Sequence, residues 1–169
     1  AKHAGRILAE RPVSVPNPVL RNAKTVLTYQ PKGVVGVISP WNYPLLLSMA
    51  SISGALAAGN TVVHKPSEWT PLLAMRLASL AEEALPEGVF ALVTGDGSTG
   101  AALVAAPIQH VCFTGSVATG KRVAQQAAEK LITCTLELGG KDPALILPDA
   151  DLDFTARGVV WAAFSNAGQ

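Results

Sequence analysis

The sequence predicts an α/β fold, an open parallel sheet flanked by helices and preceded by a partial N-terminal β-arm. Three observations predict it. From Val34 onward, short β-branched runs alternate with alanine-rich helical stretches, the rhythm of consecutive βαβ units. Hydrophobic residues make up 49% of the chain and charged residues 15%. That balance suits a sheet covered on both faces, or a piece of a larger protein whose faces are meant to be covered. The 169 residues suffice for one domain with a sizeable core.

The first eleven residues read as the tail of a helix, cut by Pro12. Between Val13 and Gly33, Pro16, Pro18 and Pro31 surround extended runs such as the one at 25–29, a pattern expected of a hairpin at a sheet edge. Residues 1–33 are thus set apart from a sheet domain over 34–169. Strands are expected at 34–39, 61–64, 90–94, 110–114, 133–137 and 144–147. Helices should fill 45–58, 71–84, 98–105, 118–130 and 151–164. Gly59-Asn60 closes the first of these helices, Thr70-Pro71 opens the second, and Pro86-Glu87-Gly88 ends it.

Thirteen basic against twelve acidic residues leave a net charge of +1, with no basic block. No electrostatic footprint for nucleic acid is present. Cys112 and Cys134 have neither metal-ligand spacing nor the pattern of a disulfide framework; both sit in apolar, strand-like runs that suit buried reduced thiols. No metal site is predicted. With no leader pattern and no apolar run long enough to span a bilayer, the expected setting is a reducing compartment such as bacterial cytoplasm, away from membranes.

Two glycine turns follow predicted strands. At 110–121, Phe113-Thr114-Gly115-Ser116 turns from strand to helix, aiming free N–H groups and a helix N-terminus at a prospective anion. Ser116 can cap that helix or donate to a phosphate oxygen; an ordinary capped turn has the same signature. The segment also nearly spells a P-loop, ending in Gly120-Lys121. The hydroxyl that should follow to hold magnesium is replaced by Arg122, which cannot ligate a cation. A P-loop-like nucleotide-binding protein is thus an alternative that lacks its metal. Gly95-Asp96-Gly97-Ser98-Thr99-Gly100 matches a dinucleotide fingerprint, again between strand and helix.

Three further segments carry polar groups at strand ends. Lys65-Pro66-Ser67-Glu68 places a donor and an acceptor where ligands of open α/β sheets gather, although a surface Lys and Glu would look the same. Asn42, in Pro40-Trp41-Asn42, is a neutral amide donor or a turn residue before Pro44. Glu137 leaves a mostly apolar run into Gly139-Gly140, a place suited to a general base or to pairing with Lys141.

In this order and spacing, Pro40-Trp41-Asn42, Lys65-Pro66-Ser67-Glu68, Phe113-Thr114-Gly115-Ser116 with Gly120, Glu137-Leu138-Gly139-Gly140-Lys141 and Asn166-Ala167-Gly168-Gln169 resemble the aldehyde dehydrogenase superfamily. The resemblance implies a Rossmann-like cofactor-binding portion of an NAD(P)-dependent enzyme. Such an enzyme oxidises an aldehyde to a carboxylic acid through a cysteine thiohemiacetal and thioester. It implies that Asn42 donates to the oxyanion and that Glu137 is the general base. Lys65 and Glu68 would hold the ribose, the Glu68 carboxylate favouring NAD, while Ser67 and Lys65 could bond a 2′-phosphate, so NADP use stays open. Phe113, Thr114, Gly115 and Ser116 would support the pyrophosphate, with Gly97 assisting. Ile38 and Trp41 would line the cofactor groove, and Leu138 and Gly139 would pass close to the nicotinamide. The family forms dimers or tetramers through β-arms, which residues 13–33 resemble in part. Its catalytic cysteine is expected just after Gln169, so the chain alone should not oxidise an aldehyde, and its binding of cofactor stays open. A catalytically inert dinucleotide-binding module is the other reading.

Overall fold

A computed structural model describes residues 4–20 and 22–169 of the chain. After a short helix α1 (Ala4–Leu8), strands β1 (Arg11–Pro12) and β2 (Val26–Leu27) pair antiparallel, and Val13 N donates to Thr25 O at 3.0 Å. The expected hairpin is therefore present but minimal, and it starts two residues earlier than the proline pattern suggested. Pro12, Pro16 and Pro18 each lack an N–H, so the ladder cannot lengthen through them. The helix remnant expected before Pro12 is described only from Ala4; residues 1–3 lie outside the described residues.

The main sheet comprises β3 (Val34–Ile38), β4 (Thr61–Lys65), β5 (Phe90–Leu92), β6 (His110–Gly115) and β7 (Thr133–Leu138), all parallel, in the order β5-β4-β3-β6-β7. Five helices complete the described fold: α2 (Pro44–Ala57), α3 (Pro71–Ala84), α4 (Gly97–Ala105), α5 (Val117–Glu129) and α6 (Leu152–Phe164). Pro44 and Pro71 occupy first turns, where a missing N–H costs nothing. Asp96, Ser116 and Asp151 cap α4, α5 and α6 by accepting from Ser98 N, Thr119 N and Phe154 N.

Because side chains alternate along a strand, the sheet divides its apolar residues between two cores. Val35, Val37 and Val62 pack with Ile52 of α2 on one face. Ile38, Val111 and Phe113 pack with Leu103 and Val104 of α4 and Val123 and Ala127 of α5 on the other.

One expected strand is absent. Residues 144–147 form no ladder, and Leu145, Ile146 and Leu147 are 90%, 52% and 66% exposed. A strand requires a neighbouring backbone, and beyond Gly139-Gly140 the chain has left the edge strand β7. Helix α6 likewise buries none of its residues, although Phe154, Trp161 and Phe164 are all large and apolar. β5 ends at Leu92, short of the expected 94, as the chain turns through Gly95 at φ +149 into α4.

Candidate functional site

The strand order reverses between β3 and β6: successive strands step outward from β3 to β5, then return to β6 on its other side. In open α/β sheets this switch opens a crevice beyond the carboxyl ends of the strands. A cleft of about 470 Å³ occupies that position. All the cofactor residues expected from sequence line it except Leu138 and Gly139: Ile38 and Trp41 follow β3, Lys65, Ser67 and Glu68 follow β4, Gly97 opens α4, and Phe113, Thr114, Gly115 and Ser116 end β6.

Lys65 is the most unusual group in the cleft, a cation only 4% exposed. Its Nζ donates to Pro66 O at 2.7 Å and lies 3.9 Å from Glu68 Oε2. Burial foremost lowers its pKa from the ordinary lysine value, while the Glu68 and Asp96 carboxylates act in the opposite direction. A lysine ammonium has three donors, and here they face one carbonyl and a distant carboxylate. Ser67, also buried, accepts from Trp69 N at 3.3 Å and holds the start of this turn. Asp96 is exposed at the α4 cap, and its pKa is lowered mainly by the hydroxyl and N–H of Ser98.

The two glycine turns differ from their sequence motifs. Gly120, which would close the loop in the P-loop alternative, lies inside α5, within the helix expected at 118–130, and is buried; a Cβ there would sit 2.5 Å from Leu138 Cδ2. Only Ser116 separates β6 from α5, too short a connection to wrap phosphates as a P-loop does. Gly100 is likewise inside α4, facing Lys65 and Ile38.

Glu137 and Leu138 pair in register with Thr114 and Gly115, and Gly139 N donates to Gly115 O at 3.2 Å. These three residues therefore stand beside the cleft, at the sheet edge. Glu137 is exposed. Asn42 is half-buried in the loop between β3 and α2, with an Oδ1 that finds no hydrogen-bond partner among the described residues. Its backbone carbonyl accepts from Asn166 Nδ2 at 3.2 Å, which brings the turn at 165–168 onto the same loop.

Cys112 lies half-buried on the sheet, and burial raises its thiol pKa despite hydrogen bonds from Ser51 and Thr135. Among the described residues, no three His, Cys, Asp or Glu side chains gather as metal ligands.

Sequence reasoning missed one wall of the cleft. Thr119, Arg122, Val123 and Gln126 of α5 line it, facing Gly97, Gly100 and Ala101 of α4. The i, i+3, i+4, i+7 spacing in α5 and the i, i+3, i+4 spacing in α4 were the available signal. Gln126 Nε2 donates to Ala101 O at 2.9 Å and ties the two helices together.

Comparison with known proteins accords with this geometry. The model of the aldehyde dehydrogenase family matches residues 1–169. A Mycolicibacterium smegmatis protein described as a putative NADP(+) succinate-semialdehyde dehydrogenase is 45% identical over all of this chain and 32% of its own length. A probable coniferyl aldehyde dehydrogenase of Pseudomonas aeruginosa is 45% identical over 87% of this chain and 31% of its own. Among solved structures, a Mycobacterium tuberculosis aldehyde dehydrogenase complexed with NAD+ superposes with a TM-score of 0.88 at 44% identity, covering 95% of this chain and 32% of that one. The chain thus spans about a third of the length of these relatives.

Proposed function

The chain belongs to the aldehyde dehydrogenase family, and from that premise we propose that it is the cofactor-binding part of an NAD(P)-dependent enzyme that oxidises an aldehyde to a carboxylic acid. The observation that carries this reading is the buried, under-partnered Lys65 in a cleft at the strand-order switch. The residues present fit a dinucleotide: a Cβ on Gly97 would meet nothing within 4 Å and would project into free space, and Lys65 and Glu68 offer a donor and an acceptor side by side.

When bound, the dinucleotide supplies a hydride acceptor. The chain's own groups bind and orient: Lys65, Ser67 and Glu68 take the ribose hydroxyls, and Ser116 with the first turn of α5 meets the pyrophosphate. Ile38, Trp41, Gly97, Phe113, Thr114 and Gly115 shape the groove, and Leu138 and Gly139 flank its nicotinamide end. Asn42 donates to the oxyanion that develops on the aldehyde oxygen. Glu137 removes a proton from water during deacylation. Neither Cys112 nor Cys134 suits the nucleophile, so these 169 residues by themselves bind without turnover. Residues 34–169 form the binding domain; residues 1–33 comprise a helix remnant and, at 13–33, part of an arm that joins protomers into dimers or tetramers, in a cytoplasmic setting.

Calorimetric titration of the 169-residue chain with NAD, and then with NADP, tests the reading. Saturable binding that disappears in Lys65→Ala supports it; a folded chain that binds neither dinucleotide refutes it.

A further inference from the structure

Beneath the cleft runs a file of buried polar groups that the proposed chemistry does not use. His64 of β4 is 1% exposed and lies against Phe90, with ring centroids 6.3 Å apart. Its Nε2 is 2.9 Å from Ser39 Oγ, which is 2.8 Å from Ser48 Oγ, which in turn donates to Pro44 O at 2.5 Å. Ser39 and Ser48 are also buried, on the strand-to-helix loop and in α2.

The direction of this file follows from proton counting. Ser48 Oγ is placed to donate to either Pro44 O or Ser39 Oγ but has one proton, and because the carbonyl can only accept, that proton is assigned to Pro44 O. Ser48 Oγ then accepts from Ser39, and Ser39 Oγ accepts from His64 Nε2–H. Every donor is satisfied only in this direction, and Nδ1 is left as a bare lone pair. Nδ1 is the ring atom that is buried without a partner among the described residues. The opposite tautomer would leave an orphaned N–H, the rarer and costlier defect in folded proteins. Burial, with Lys65 adjacent, keeps the ring neutral by lowering its pKa to about 4.

The file also connects the parts of the cleft. Ser39 N donates to Lys65 O at 3.2 Å, Ser39 leads directly into Pro40-Trp41-Asn42, and Pro44 opens α2. We propose that His64, as its Nε2–H tautomer, is a positioning residue that clamps the 39–44 loop, and with it Trp41 and Asn42, against the end of β4 that carries Lys65. The consequence for cofactor affinity rests on the function proposed above; the tautomer and the restraint on the loop do not.

Long-range 1H–15N correlation spectra of the 15N-labelled chain read the tautomer directly, and 15N relaxation reads motion of the Trp41 and Asn42 amides. The expected result is Nε2–H at His64, with those amides rigid in the parent and in His64→Gln, whose amide nitrogen can replace Nε2, and newly mobile in His64→Leu. NAD affinity should fall about tenfold in His64→Leu and recover in His64→Gln. An Nδ1–H or imidazolium ring overturns the proposal, as does a folded His64→Leu with an unaltered loop. If the parent chain binds no NAD, the cofactor reading fails, and the tautomer and relaxation data still decide this one.

Discussion

Asn166 donates its side-chain amide to the backbone carbonyl of Asn42 across 124 positions of sequence. The bond closes a turn in which Asn166 and Ala167 take left-handed backbone angles, φ 50 and 56. Asn tolerates that region better than most residues, and Ala does not. Asn166→Gly should keep the turn accessible yet lose the tether, and Asn166→Ala should lose both. Amide hydrogen exchange at 166–169 is expected to accelerate in each, more in the alanine variant. The melting temperature should move little, because the turn is exposed.

Acid should weaken the fold through His64. Its folded pKa is about 4, below the ordinary histidine value of 6.5. The unfolded chain therefore binds the proton first as pH falls. The stabilising contribution is complete above about 6.5 and is lost progressively toward pH 4. It amounts to roughly 2–4 kcal/mol by linkage. His110, whose pKa is lowered chiefly by burial, acts in the same sense. Urea denaturation between pH 7 and pH 4.5 should thus show a shallower loss of stability in His64→Gln than in the parent.

Glu68 should set the preference between the two dinucleotides. Its carboxylate lies 3.9 Å from Lys65 Nζ; under the proposed function it would accept from a ribose hydroxyl and repel a 2′-phosphate. Glu68→Ala is expected to raise NADP affinity relative to NAD by about tenfold, the effect of roughly one charge–charge term of 1.4 kcal/mol. Parallel titrations with the two cofactors measure the ratio; an unchanged ratio would remove Glu68 from the ribose site.

Lys130 should act as the C-terminal cap of α4. Its Nζ donates to Ala105 O at 2.9 Å and Val104 O at 3.5 Å, and also to Ala106 O. A cation there meets both the unpaired carbonyls and the negative helix end. Lys130→Met, which keeps the apolar stem, should cost about 1 kcal/mol in urea denaturation. Lys130→Arg should recover part of that loss.

Much of the fold was readable because its signals are local. The alternation of β-branched and alanine-rich runs placed all five sheet strands and the five helices that follow them to within a few residues. The cap read at Ser116 acts on backbone three positions away, and Asp96 and Asp151 cap in the same local way. The failure at 144–147 has the converse cause. Its apolar run carries the pattern of a strand, but a strand exists only if another backbone pairs with it.

By itself, then, the sequence determined which segments become strands and helices, where they are capped, and which motifs stand at strand ends, since these depend on period and on short-range hydrogen bonds. Only the tertiary structure decided that β3 and β6 become neighbours, opening the cleft between α4 and α5. It alone set Arg122 and Gln126 on the cleft wall, packed Gly120 against Leu138, and buried both His64 and Lys65. Those outcomes depend on which surfaces exclude water together, a property of packing between residues far apart in the chain.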